Sequence, residues 1–576
     1  MKKLLSILLA VLPIVGMAQS QITVTVDSVG QLSKKIDDKT KFQIAELTVS
    51  GPINGTDLKF IQQIVNRSKA KEKVGECLVT AIDLSDATIT EGKDGMKTKA
   101  NELPAGLFSG AKGLTKAYLP KDITTISKNC FAGCSNLVTV PIPDGVKEIG
   151  DAAFKNCEAL ETISLPSDLT TIGSEAFEGC KTLKAIEVPA SVTKMGSQTF
   201  NGCKALTTVN IVGKVSEIPN EAFNNCTSLS TLSLPAGINK IGSDAFSKCE
   251  ALANVTLPES VSELGNGAFE DCKNLNSIQM ASVTKLGNNA FEGCKSLTKV
   301  TFSNLTSLGS DAFKDCQALT EANVPGTYKT VGNEAFAGCT SLTKIALPAS
   351  VKDIDNNAFK DCQSLAEFQM PEALEKIGSN AFENCTSLRE AILPNTLKKL
   401  GNNAFESCTS LDSVVISGII AELSKEVFHS CRSLRSVTFP TTLRKIGQRA
   451  FQECSALQEI TLPLALQVID DDAFEKCISL KAITIPVGVT TIGSDAFFEC
   501  TSLASVELST ALKKIGGSAF AKCPSLRVVK CNSPAAPSVS NSTFKNSPCT
   551  IYVPKGCSSI YRAHKDWKKI TNIREQ

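Results

Sequence analysis

The chain has 576 residues, 42% of them hydrophobic and 20% charged, which is enough apolar side chain to build cores and rules out a wholly disordered polymer. Lys+Arg number 60 against Asp+Glu 58, a net charge of +2, so no broad positive field exists to hold a polyanion and nucleic-acid binding is disfavoured as the main role. Two histidines, one tryptophan and four tyrosines leave little material for imidazole metal sites or for aromatic platforms that stack sugars and bases.

Residues 1–18 read as a secretory signal. Lys2 and Lys3 form a basic start, residues 4–15 an apolar run, and Gly16-Met17-Ala18 a small-residue cleavage site before Gln19. The run is too short to span a bilayer core of ~30 Å, and no later stretch approaches the ~18 apolar residues a spanning helix needs. The expected mature chain is exported, with no membrane span, and either surface-retained, released or periplasmic.

Residues 19–100 carry coil-like pieces without a clear repeat: Glu46-Leu47-Thr48-Val49, a capped helix from Thr56-Asp57 to Arg67, and Ala81-Ile82-Asp83-Leu84-Ser85. This region reads as a degenerate N-terminal coil or cap, with 92–99 as a polar, mobile link.

A repeat then takes over. Phe recurs at 108, 131, 154, 177, 200, 223, 246 and 269, and continues from 291 to 520, in steps of 23 with two steps of 22 around Phe291. From Cys134 to Cys523 a Cys follows three residues after each Phe, and a Leu three residues after that. One unit, 160–183, reads Leu-x-x-Ile-x-Leu-Pro, then x-x-Leu-x-x-Ile-Gly, then Ser-x-Ala-Phe-x-x-Cys-x-x-Leu. Residues 162–165 alternate polar and apolar, as a half-buried strand does. Pro166 ends that strand, because proline offers no N–H to a ladder. Residues 170–172 form a second short extended piece closed by Gly173. Ser174 stands where an N-cap would, with Glu175 behind it, so 174–180 is expected to make one or two helical turns.

A unit this short cannot bury its apolar face, but a stack of units can. Phe154, Cys157, Phe177, Cys180, Phe246, Cys249, Phe382, Cys385, Phe497 and Cys500 are thereby expected in one continuous structural core. The expected fold class is an α/β solenoid of about 20 coils over residues 101–530, with parallel strands at about 4.8 Å spacing. Residues 531–576, with a Pro/Ala/Ser turn region and a charged tail, are expected to cap the far end.

There are 23 cysteines. Eighteen sit in the repeat at spacings of 22 or 23, with no Cys-x-x-Cys knuckle among them. They read as small buried hydrophobes rather than as a metal or redox wire. Cys77, Cys130, Cys531, Cys549 and Cys557 fall outside the set, and in an exported chain two of the last three could pair. A Ser–His–Asp machine would require His429 or His564, and both read as ordinary surface residues. Asp470-Asp471-Asp472 reads as a solvated helix start rather than a calcium or glycosidase site. No catalytic constellation, cofactor site or metal site is visible.

The pattern Leu-x-x-Ile-x-Leu-Pro…Ile-Gly-x-x-Ala-Phe-x-x-Cys resembles the BspA-like, Treponema-type leucine-rich repeat, over about residues 101–530. Departures are local: Ala111 stands in place of the first Cys, and Gly213 and Ser282-Val283 disturb the Pro turn. The run Ile551-Tyr552-Val553-Pro554-Lys555-Gly556, with Tyr561 and Trp567, resembles the terminal segment of such proteins. The resemblance implies a right-handed leucine-rich-repeat superhelix with its parallel strands on the concave face. It also implies a non-enzymatic surface adhesin toward extracellular matrix proteins such as fibronectin and fibrinogen.

The outward strand positions supply the candidate binding face: Thr162, Ser164, Glu187, Thr208, Asn210, Thr231, Ser233, Asn254, Thr256, Gln279, Glu321, Asn323, Glu367, Gln369, Ser436 and Thr438. They are small, polar and almost free of aromatics, so they offer area rather than a tight pocket, and repeated weak contacts add by avidity. The expected partner is an extracellular protein, met by a monomer. The alternatives are an envelope scaffold without a ligand and an enzyme with an unfamiliar site.

Overall fold

The computed structural model describes residues 20–66 and 79–576. The expected signal segment and Cys77 lie outside the described residues. The chain forms two compact units. One ends at Leu206 and includes Ile211–Gly213; the other comprises Thr207–Asn210 and Lys214–Gln576.

The first unit opens with a parallel sheet. Strand Ser20–Thr25 pairs with Ile44–Ile53, which pairs with Ala81–Asp83, which pairs with Lys116–Tyr118. The helix between them, Gly55–Val65, starts at an Asn54 N-cap whose side chain accepts from Thr56 and Asp57, while Asp57 accepts from the Asn54 N–H. This reciprocal capping box satisfies orphan donors at the helix start. The buried Asp57 carboxylate also accepts from Gly30 and Leu32 at 2.6 and 2.9 Å, which ties the first turns of the chain to the helix. Residues 92–99 are not a free link: Gly92 and Thr98 form an antiparallel bridge, Thr98 is buried, and the Met96 N–H donates to the Gly55 carbonyl.

The repeat then sets the ladders. In the first unit Glu102–Leu103, Thr125–Ile126, Glu148–Ile149, Thr171–Ile172 and Lys194–Met195 pair in parallel, each 23 residues after the last. The second unit repeats the arrangement from Glu217–Ile218 to Ser307–Leu308, from Thr330–Val331 to Lys399–Leu400, and from Glu422–Leu423 to Lys514–Ile515. A second set of strands, such as Asn254–Thr256 with Ser277–Gln279 and Glu390–Leu393 with Ser413–Ile416, runs beside it. Their burial alternates exposed, buried, exposed, as expected where one face packs and the other meets water.

The expected strand 162–165 is not formed. Pro141, 23 residues before Ser164, has no N–H and a fixed φ, so the ladder fails across these two coils. Only the bridge between Lys116 and Thr139 marks it there.

The expected helical turns at 174–180 are also corrected. This segment contains no helix; it is a pair of tight turns built on left-handed residues. Glu175 has φ 57° and Gly179 φ 71°, and the same two columns recur as Asp244 and Lys248 or Asp495 and Glu499. A left-handed residue on either side of the Phe aims alternate N–H groups along the stack. Glu175, Phe177 and Gly179 donate to Ser197, Thr199 and Asn201 of the next coil at 2.7–2.8 Å. Each coil thus carries a third intercoil ladder where a helix would have kept its hydrogen bonds to itself. Ser174 is not an N-cap; its N–H donates to the Asp151 carboxylate of the preceding coil at 2.8 Å. Asn220, Asn266, Asn288 and Asn356 accept from the next coil in the same way.

The core is one residue column after another. All ten expected Phe and Cys core residues are fully buried. In the first unit the Phe rings stack from Phe108 to Phe200, as in Phe154 on Phe177 at 5.3 Å and 2°. In the second they stack from Phe223 to Phe544, as in Phe336 on Phe359 at 5.4 Å and 2°. At its end Tyr561 and Trp567 are buried, and their polar tips donate to the carbonyls of Ser533 and Pro537 at 2.6 and 2.7 Å. Strands Val528–Cys531, Thr550–Val553 and Ile573–Glu575 close the last sheet in parallel.

Candidate binding face

The outward residues of the strands are held by backbone ladders, so their spacing is fixed by the coil period rather than by their own contacts. In the first unit Thr162, Ser164 and Glu187 are exposed. In the second, Thr208 and Asn210 are half-buried. Thr231, Ser233, Asn254, Thr256, Gln279, Glu321, Asn323, Glu367, Gln369, Ser436 and Thr438 are exposed. Register brings them into columns: Asn254 faces Ser277 and Thr256 faces Gln279, and the Ser277 hydroxyl donates to Asn254 at 2.6 Å. Lys299 pairs with Glu321 at 2.9 Å across the next ladder.

Glu367 and Gln369 lie on a coil that has left the ladder. Between strands Lys344–Ala346 and Glu390–Leu393, residues 366–370 form no strand, and the Ala366 carbonyl accepts from the Arg389 N–H of the next coil. Phe368 occupies the inward position that Ile345 and Ala391 hold in the flanking coils. Its ring meets Phe359 and Phe382 edge-on at 5.0 and 4.8 Å. Phe359 and Phe382 stay stacked on each other at 5.3 Å, so the Phe368 ring lies beside the stack rather than within it. Along this coil runs an open groove of about 780 Å³ lined by Phe368, Met370, Ile392 and Pro394, with Glu367, Glu372, Arg389, Glu390 and Asp412 around it.

Ile392 is the residue that reading for polar side chains passes over. It lies 23 positions after Gln369, on the outward column, and is 56% exposed. Its ladder partner is Val415, also outward and half-buried. The signal was in the period itself: counting along the column, rather than scanning for polar residues, reaches both.

The histidines do not form a catalytic centre, but His429 is not an ordinary surface residue either. Its Nδ1 lies 3.0 Å from Glu406 and its Nε2 lies 3.4 Å from the Ser430 hydroxyl. That is the order of a nucleophile, base and acid. Two features break the analogy with an acyl-transfer site. The Ser430 hydroxyl also donates to Glu453 at 3.3 Å, and the residue is only 8% exposed. The N–H groups of His429, Ser430, Cys431 and Arg432 all donate to backbone carbonyls, so none is left to stabilise an oxyanion. The His429 contact holds the Glu406 carboxyl below its ordinary range, and burial opposes that shift. His564 sits at the C-terminal end of helix Ser558–Ala563, where its N–H donates to Ile560 and Tyr561.

The acidic triplet is not a helix start, because no helix is there, and its three side chains diverge. Asp470 pairs with Lys445, Asp471 accepts from the Ser494 N–H and Asp472 pairs with Arg449. Among the described residues, no group of three His, Cys, Asp or Glu side chains is placed to hold a metal ion.

The cysteine column is more than small apolar filling. Thiols along the column donate to the carbonyl of the Phe 25 or 26 residues earlier: Cys157 to Phe131 at 3.3 Å, Cys316 to Phe291 and Cys385 to Phe359 at 3.2 Å. That carbonyl already accepts the N–H of the Cys in its own turn, as Phe131 does from Cys134, so the thiol occupies its second lone pair. Burial pushes these thiols up, Cys134 to about 12, which keeps them protonated and unreactive. Cys531, Cys549 and Cys557 are unpaired; Cys531 instead lies 3.1 Å from the Tyr561 hydroxyl.

Stacked parallel coils with an outward strand face and a stacked Phe core define a leucine-rich-repeat solenoid, a repeat family associated with protein–protein interaction. The family model described as the BspA type leucine-rich repeat region, in six copies, matches residues 101–230, 216–341, 329–458 and 421–551, and the chain belongs to that family. Its members are typically bacterial cell-surface proteins. Among solved structures, a leucine-rich repeat protein from Bacteroides ovatus is 22% identical over 83% of this chain and 92% of its own, with a TM-score of 0.29. A leucine rich cell surface protein from Faecalibacterium prausnitzii is 27% identical over 63% and 82%, with a TM-score of 0.25. The T. pallidum leucine-rich repeat protein is 30% identical over 30% and 77%, also at 0.25. No curated protein matches the chain. No helix among the described residues is long and apolar enough to cross a membrane.

Proposed function

We propose that the chain is an exported, non-enzymatic binding protein of the cell surface that adheres to an extracellular protein through its outward strand face. The observation that carries this reading is the outward column itself. It presents exposed side chains at the coil spacing from Thr231 to Thr438, most of them on strands paired with the next coil. Such a face has little reorganisation to undergo on binding, so repeated weak contacts add. Export rests on the basic, apolar and small-residue segments of residues 1–18.

The test is a plate-binding assay of the chain from Gln19 onward against immobilised fibronectin, fibrinogen and whole-cell surface extracts, with protease shaving of intact producing cells alongside. Saturable binding together with loss of the chain on shaving is the expected result. Absence of saturable binding to every surface would favour a scaffold without a ligand. A chain protected from external protease would remove the adhesive role.

A further inference from the structure

The groove at Phe368 and Ile392 differs from the rest of the outward face in three ways, and together they specify an occupant. It is concave, at about 780 Å³, within the range of built ligand sites. Its floor is apolar: Ile392 is 56% exposed, with Met370 in the lining and Val415 as its ladder partner, whereas the same column carries Asn323, Gln369 and Thr438 in other coils. Its rim holds four carboxylates, Glu367, Glu372, Glu390 and Asp412, against the single guanidinium of Arg389. Asp412 is bonded to Arg435, which leaves three carboxylates facing one cation.

Resting on the protein-binding reading above, we propose that this groove is the anchoring subsite of the face. Its occupant is an extended peptide segment that places one aliphatic side chain against Ile392 and flanks it with Lys or Arg side chains that meet Glu367 and Glu390. An extended segment fits because side chains at alternate positions point the same way. Cations on either side of an apolar residue then meet the rim while the apolar residue meets the floor. The surplus negative charge rejects an acidic segment of the same shape, since an unmatched like charge opposes docking.

The experiment uses the full chain and three fluorescent octapeptides, read by anisotropy. One carries Lys at alternate positions around a central Leu, the second carries Glu in place of Lys, and the third carries Ser in place of Leu. The first is expected to bind saturably, and each of the others at least tenfold more weakly. Ile392→Ser, which removes the exposed apolar side chain, is expected to lower affinity about tenfold. The double variant Glu367→Gln/Glu390→Gln is expected to flatten the salt dependence. Val487→Ser removes another exposed apolar side chain, 63% exposed on a turn, and is expected to change nothing. Circular dichroism melts establish that each variant is folded. Equal binding of the Lys and Glu peptides, or unchanged affinity in folded Ile392→Ser, overturns the proposal. If Ile392→Ser keeps full binding to a matrix protein, the groove is not the anchor, although the general reading stands. If the Lys peptide binds as expected while no protein surface is captured, the groove assignment survives and the adhesive reading fails.

Discussion

Cys385 shows how a repeated residue does two jobs at once. A cysteine is small enough to pack beneath a stacked Phe, and its thiol satisfies a carbonyl that a Val or Ala would leave with one partner. Because burial raises the thiol pKa, the column is chemically quiet even though its members are neighbours. Among the described cysteines only Cys557 has more than marginal solvent contact. In native chain at pH 8, a thiol-specific chromogenic reagent is therefore expected to label Cys557 quickly and the Cys134-to-Cys523 column only after denaturant is added. Rapid labelling of several column cysteines without denaturant would contradict the packing described. The Phe and Cys columns were legible in the sequence because a buried position admits few residue types, and the same type returns every 23 residues. The left-handed turn was not read, although its trace was present. The column two residues after Phe holds Asn156, Gly179, Gly202, Asn225, Gly293 and Asn384, the residue types that accept positive φ. Reading Ser174-Glu175 as a capped helix start weighed one unit, where the column as a whole pointed to turns.

At the scale of elements, the coils are held in register by polar contacts that step across one repeat. Glu375 lies between Lys352 and Lys398, at 2.8 and 2.5 Å, one coil to either side. Hydrogen bonds from both lysines hold its carboxyl down from the ordinary 4.5 to about 2. A carboxyl that binds its proton less readily when folded contributes stability above the unfolded value, and that contribution is lost as pH falls from about 4.5 toward 2. The site is at the surface, so salt screens it and the gain is small. Urea midpoints of the wild type and Glu375→Gln are expected to differ at pH 6 in low salt, with the wild type higher, and to converge by pH 2. A difference that persists at pH 2 would show that the variant acts through something other than the carboxylate charge. The outward face was legible to the same degree as these ladders: its alternation gave the strands, while at 366–370 the strand is missing beside a Phe368 ring packed edge-on against the stack. That packing outcome is invisible in a polar–apolar pattern.

At the scale of the whole molecule, each coil touches mainly the coils beside it, so stability within a unit is a sum of coil terms and neighbour terms. That makes length adjustable and phase rigid. Ile241 pairs with Leu264, 23 residues later, and each is followed by a Gly. Removing residues 242–264 joins Ile241 to Gly265. The junction remains Ile-Gly, every Phe and Cys column closes over the gap, and the 22- and 23-residue ladders beyond it keep their register. Removing only residues 242–252 takes Phe246 and Cys249 out, runs the strand 254–256 on where the Phe turn should be and turns buried side chains outward. The full-unit deletion is expected to retain the β-rich circular dichroism spectrum and a cooperative melt close to that of the parent. The half-unit deletion is expected to lose solubility or melt well below it. The comparison also bears on binding, because the deleted coil lies far in sequence from residues 366–394: the shortened chain should keep the Lys-peptide affinity of its parent while losing one coil of face.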